Sequence, residues 1–158
     1  MTRRKSSPGR GEPVEVEKDD FAVGRPLNRK QVQDMIRRKE TLAEADLRGC
    51  DLSGVSFDGA DLRFAKFAEA NLTRCSFRNA NLEGASFFGA SLKDATLEDC
   101  NLEDADLDFA WLDGVSLRGS KVRKAIFPLK KVPLEEIRES VKNGKRLRMD
   151  PIAVDDED

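Results

Sequence analysis

Residues 45–124 read ADLRG CDLSG VSFDG ADLRF AKFAE ANLTR CSFRN ANLEG ASFFG ASLKD ATLED CNLED ADLDF AWLDG VSLRG SKVRK, sixteen five-residue units without an insertion or deletion. The third residue of every unit is large and apolar, from Leu47, Leu52 and Phe57 through to Leu112, Leu117 and Val122. The first is small: Ala, Cys, Val or, at Ser120, Ser. A period of five fits neither the 3.6-residue helix nor the two-residue strand. The small and large residues of a unit lie two apart, so they alternate as in a strand and point to the same side. A turn must follow before the next unit. Gly49, Gly54, Gly59, Gly84, Gly89, Gly114 and Gly119 supply it, with Asn79, Asp94, Asp99 and Asp104 as the other turn-tolerant residues. The chain therefore coils repeatedly around a core one side chain deep.

These units carry a family resemblance. ADLRG, CDLSG, ADLRF, ANLTR, ANLEG, CNLED and ADLDF resemble the A(D/N)LXX signature of pentapeptide-repeat proteins. The resemblance implies an all-β solenoid: a right-handed quadrilateral β-helix with one unit per face and four per coil. Sixteen units then make about four coils, a column about 20 Å tall at the usual strand spacing. The open ends of such a column expose unpaired edges, so flanking segments are expected to cap it.

The flanks read accordingly. Residues 1–20 mix charge, Pro, Gly and Ser with almost nothing to bury and are expected to be a disordered tail. Residues 21–44 are the N-terminal capping region, with a helix predicted from about Asn28 to Glu40. Asn28 and Gln31 form a capping box, and Leu27 and Val32 hold the staple positions. The repeats extend over 45–127, to the unit Ala125-Ile126-Phe127 that Pro128 terminates. Residues 128–158 hold a second helix, Pro133 to Asn143, and an acidic tail ending Asp155-Asp156-Glu157-Asp158.

Composition bears mainly on chemistry. Histidine and tyrosine are absent from all 158 residues, which removes the commonest general base and metal ligand. No glycine phosphate loop is present, and a filled column offers no deep pocket. The expectation is a protein that is not an enzyme and needs no metal or other cofactor. No apolar run approaches the roughly 20 residues of a membrane span, and no leader of the usual form precedes the repeats. A cytoplasmic protein without membrane association is expected.

If four units close a coil, residues twenty apart stack. Leu52, Leu72, Leu92 and Leu112 make one ladder, Leu62, Leu82, Leu102 and Val122 another, and Phe57 and Phe77 sit beneath Leu97 and Leu117. Cys50, Cys75 and Cys100 take small inward positions on three different faces, so they are read as buried free thiols rather than metal ligands or a disulfide. Phe64, Phe88, Phe109 and Trp111 fall at outward positions on one side of the column, near Ala68 and Ile126. A contiguous patch of that kind marks an interface or a surface covered by the chain's own flanks. Asp94, Glu98, Asp99, Glu103, Asp104, Asp106, Asp108 and Asp113 face only Lys93, a net of −7 forming a belt around the third and fourth coils.

Two functions follow as expectations. One is an interaction scaffold whose aromatic patch meets an unknown protein partner, with homodimerisation through the Pro133 helix or the patch as a related use. The other is an acidic DNA mimic, because the family's quinolone-resistance members are implicated in binding DNA gyrase. A belt imitates two phosphate strands less well than a stripe. Direct nucleic-acid binding is not expected of an acidic column.

Overall fold

The computed structural model describes residues 25–149. Its repeats coil with a period of twenty residues: Asp46 pairs in parallel with Lys66, Asp51 with Asn71, and so on to Asp106 with Ile126. Residues 45–64, 65–84, 85–104 and 105–124 thus make coils 1 to 4, each with four faces. No continuous strand forms among the described residues; each unit contributes one bridging residue. The period explains this, since a turn at every unit leaves each face too short for a longer ladder.

The backbone donors of one unit can be followed completely. The first-position N–H closes the preceding turn, as Cys50 does onto Leu47 O at 3.3 Å. The second donates to the coil before, Lys66 to Ala45 O at 2.9 Å. The third and fifth donate to the coil after, Leu47 to Lys66 O at 2.8 Å and Gly49 to Ala68 O at 3.0 Å. Only the fourth N–H lacks a main-chain acceptor. The second-position side chain supplies it: Asp46, Asp61, Asn71, Asn81, Asn101 and Asp106 each accept from the residue two further on. The Asp or Asn of the signature is therefore an acceptor for an otherwise orphaned donor.

Inside, faces 2 and 4 carry the aliphatic ladders read from the sequence, all fully buried except half-buried Val122. Faces 1 and 3 meet in an aromatic column. Phe57 and Phe77 stack at 5.0 Å on face 3, and Phe67 and Phe87 at 4.9 Å on face 1. The two stacks meet edge to face at 5.9 to 6.0 Å. Each buried Phe or Leu contributes on the order of 2 kcal/mol. Cys75 and Cys100 use their thiols as donors to Leu52 O and Phe77 O, at 3.0 and 2.8 Å. Burial pushes them up to about 11 and about 12, respectively. Cys50 is half-buried, and its thiol is also raised, chiefly by burial. Iodoacetamide at pH 8 is expected to modify Cys50 alone in the folded protein. Mass spectrometry showing rapid native labelling at Cys75 or Cys100 would contradict this packing.

Helix α1 (Arg29–Arg37) closes the N-terminal end. Its capping box forms as expected, with Asn28 and Gln31 bonding reciprocally at 2.8 and 2.9 Å. It stops at Arg37, short of Glu40, because Lys39 turns left-handed and the N–H groups of Lys39 and Glu40 close onto Ile36 O and Met35 O. Val32 is fully buried beneath the first coil. Coil geometry already begins at residues 40–44, where Leu42 and Glu44 donate to Asp61 O and Arg63 O. Leu27 does the same to Asp46 O. On face 2 the Arg29 guanidinium substitutes for two missing amides, reaching Asp51 O at 3.1 Å and Ser53 O at 3.0 Å.

Helix α2 (Leu134–Asn143) covers the other end. Ser140 Oγ accepts from Leu117 N–H at 2.9 Å and Val141 O from Gly119 N–H at 2.9 Å. The segment after Gly144 then crosses face 2, where Leu147 exchanges bonds with Gly114 and Val115 at 2.7 and 2.8 Å. Both ends are thus capped by groups that complete part of the ladder of an absent coil, with face 4 of the C-terminal end as the exception.

Candidate protein-interaction surface

Two of the four outward aromatics touch. Phe88, fourth in its unit on face 1, and Phe109, fifth in the unit above, share one corner with rings 5.1 Å apart. They remain 42% and 64% exposed while the inward residues beside them, Phe87, Ala90, Leu107 and Ala110, are buried, so they stand proud of a rigid wall. Phe109 holds a φ of 61°, a left-handed conformation that directs its side chain along the column.

The other two are placed differently. Phe64 occupies the opposite corner of face 1 and lays its ring over Gly84, where a Cβ would collide with it. Trp111, on face 2, is half-buried, with Lys131 Nζ 6.0 Å from its ring centroid. Ile126 crowns face 1 and is 51% exposed. The structure therefore brings together Phe88 and Phe109, with Phe64 across the face and Trp111 around the corner.

The eight acids divide into compensated and open groups. Glu98 is buried and accepts from Ser116 at 2.6 Å, Arg78 at 2.7 Å and Arg118 at 3.3 Å. The Ser116 hydrogen bond and the two guanidinium groups hold its carboxyl below the usual range, against the opposing effect of burial. Glu103 lies 3.6 Å from Arg123, and Lys93 lies 3.7 Å from both Asp94 and Asp113. Asp99 leans over Gly119. Asp99, Asp104, Asp106 and Asp108 have no ion pair among the described residues; Asp106 and Asp108 border the Phe88–Phe109 corner, whereas Asp104 shares the opposite corner of face 1 with Phe64 and Gly84. Asp106 and Asp108 instead accept from the backbone N–H groups of Asp108 and Phe109 at 2.9 and 3.1 Å.

Sequence position could not show that Glu98 belongs to an alternating corner ladder, Asp58, Arg78, Glu98 and Arg118, each twenty residues from the next. Once the coil length is known, the signal is plain. Among the described residues no group of three His, Cys, Asp or Glu side chains is placed to hold a metal ion. No helix there is long and apolar enough to cross a membrane.

No curated protein matches the chain as a sequence relative. The family model described as a pentapeptide repeat region matches residues 50–127. Among solved structures, the chain is similar to HetL, a pentapeptide repeat protein involved in heterocyst differentiation regulation in the cyanobacterium Nostoc sp. strain PCC 7120, with 35% identity and a TM-score of 0.55. That match covers 56% of this chain and only 41% of HetL, so the chain spans about two fifths of that relative. It is also similar to alr5209, a pentapeptide repeat protein from Nostoc PCC 7120, with 25% identity, a TM-score of 0.64, and coverage of 75% of this chain and 97% of that one. The register of the core, the family model and these structures agree: the chain belongs to the pentapeptide-repeat family.

Proposed function

We propose that this protein is a non-enzymatic scaffold, a right-handed quadrilateral β-helix of four coils that binds a protein partner through the Phe88–Phe109 corner. The observation that carries this reading is the contact pair itself: two exposed phenylalanines in tilted contact on adjacent coils of a wall that cannot rearrange to hide them. A rigid surface loses little entropy on docking, and clustered aromatics are typical anchors of protein interfaces. The open carboxylates of Asp106 and Asp108 beside them favour a partner with an apolar pocket and a basic rim.

The DNA-mimic reading draws less support. Four of the eight acids, Asp94, Glu98, Glu103 and Asp113, lie against a basic side chain, and the other four are spread over two corners and face 1 instead of tracing two strands.

Affinity capture from the native host with wild type and a Phe88→Ala/Phe109→Ala double variant tests the proposal. Each lost anchor is expected to cost about 2 kcal/mol, so the partner should disappear from the variant while the melting temperature stays nearly unchanged. Identical captured proteins would refute it. A variant that melts far below wild type would instead mark the pair as covered by the chain's own flanks.

A further inference from the structure

The C-terminal end of the column is closed on three faces and open on the fourth. In lower coils the third- and fifth-position amides of face 4 meet the coil above, as Leu102 and Asp104 do with Lys121 O and Arg123 O at 2.8 and 3.1 Å. In coil 4 the corresponding donors belong to Val122 and Lys124, and neither has an acceptor among the described residues. Beside this edge runs an apolar groove of about 320 Å³, floored by Val122, Phe127, Ile137 and Val141 and rimmed by Arg138 and Lys142. Leu134, at its lip, is 47% exposed.

Charge singles out the same end. From Arg118 to Met149 there are eleven basic residues and three acidic ones, a net of +8. The segment that follows, residues 150–158 (DPIAVDDED), carries five acids and no base. Its only large aliphatic side chains, Ile152 and Val154, are two apart and fall on one side of an extended chain.

We propose that residues 150–158 dock on this end in cis as an extended strand. Ile152 and Val154 enter the groove, main-chain carbonyls accept from Val122 and Lys124, and the terminal acids meet Arg138 and Lys142. An extended segment suits an edge with two free donors, because all its carbonyls are unspent, whereas a helix has only those of its last turn to offer. Reach is sufficient. Met149 lies buried over Leu112 on the facing side, and facing sheets stand about 10 Å apart. Three extended residues span about that distance, which brings Ile152 to the groove. The docked segment covers an edge that would otherwise template association with another chain.

Amide hydrogen exchange by NMR tests this on the full chain, comparing wild type with Ile152→Asp/Val154→Asp. These substitutions lie outside the column and leave its core intact. Exchange at Val122 and Lys124 should be at least tenfold faster in the variant, with Leu102 and Asp104 unchanged. Equal rates at Val122 and Lys124 in the two chains would overturn the proposal. Protection that vanishes on dilution, with a dimer seen by light scattering, would also overturn it and assign the edge to a second copy.

Discussion

Phe77→Ala is expected to lower the free energy of unfolding by about 3–5 kcal/mol, the range for deleting a fully buried aromatic. Phe77 is stacked on Phe57 and meets Phe67 and Phe87 edge to face, so its loss leaves three rings facing a void. A column one side chain deep has no second layer that can move in. Phe77→Leu gives face 3 the residue that coils 3 and 4 already use at Leu97 and Leu117, and should cost less than about 1.5 kcal/mol. Stability in a repeat protein is a sum of unit and neighbour terms, so a void in coil 2 also weakens both of its interfaces. Urea unfolding of Phe77→Ala should therefore show a lower midpoint and a broader transition. Equal costs for the Ala and Leu variants would mean that apolar filling recovers nothing and that the ring contacts themselves carry the stability.

How much of this was legible beforehand differs between core and surface. Period and inward positions are properties of single residues along the chain, so the ladders and the buried thiols of Cys75 and Cys100 follow from counting, while Cys50, expected to be buried too, is half-buried in the first coil. Coil length is not written in any one unit; it entered through the family resemblance and appears in the structure as the pairing of residues twenty apart. With that length the Phe67–Phe87 stack is as readable as Phe57–Phe77. The caps were visible as amphipathic helices, but not their atomic work. That Arg29 satisfies two edge carbonyls, or that Ser140 accepts from Leu117, depends on which groups the absent coil leaves unpaired. Charge was the least legible property. Summing acids gave a belt of −7, whereas pairing across coils neutralises Glu98 and Glu103. Similarly, ten bases against eight acids over residues 120–158 conceals a basic end followed by an acidic segment.

The corners offer the second large effect. Gly114 has φ +84°, and a Cβ there would fall on Asp94 Oδ1, with Asp94 Cγ at 3.1 Å and its backbone Cα at 3.2 Å. Asp94 is left-handed too, at φ 59°, so its side chain leans toward the next coil and needs a bare backbone to lean on. Gly49 has a similar φ of +67°, and a Cβ there would meet nothing within 4 Å. Comparing the two separates conformational cost from inter-coil collision. Gly49→Ala should lose only the left-handed penalty, about 1–2 kcal/mol. Gly114→Ala adds the collision and should lose at least about 1 kcal/mol more, within the range of strained and overpacked sites. The excess belongs to Asp94, so a double-mutant cycle with Asp94→Gly should recover most of it, apart from what the 3.2 Å backbone approach retains. If Gly114→Ala proves no worse than Gly49→Ala, the coils can separate locally to admit a methyl group. The wall that presents Phe88 and Phe109 would then be softer than its packing indicates, and the low entropic cost of docking on it would no longer follow.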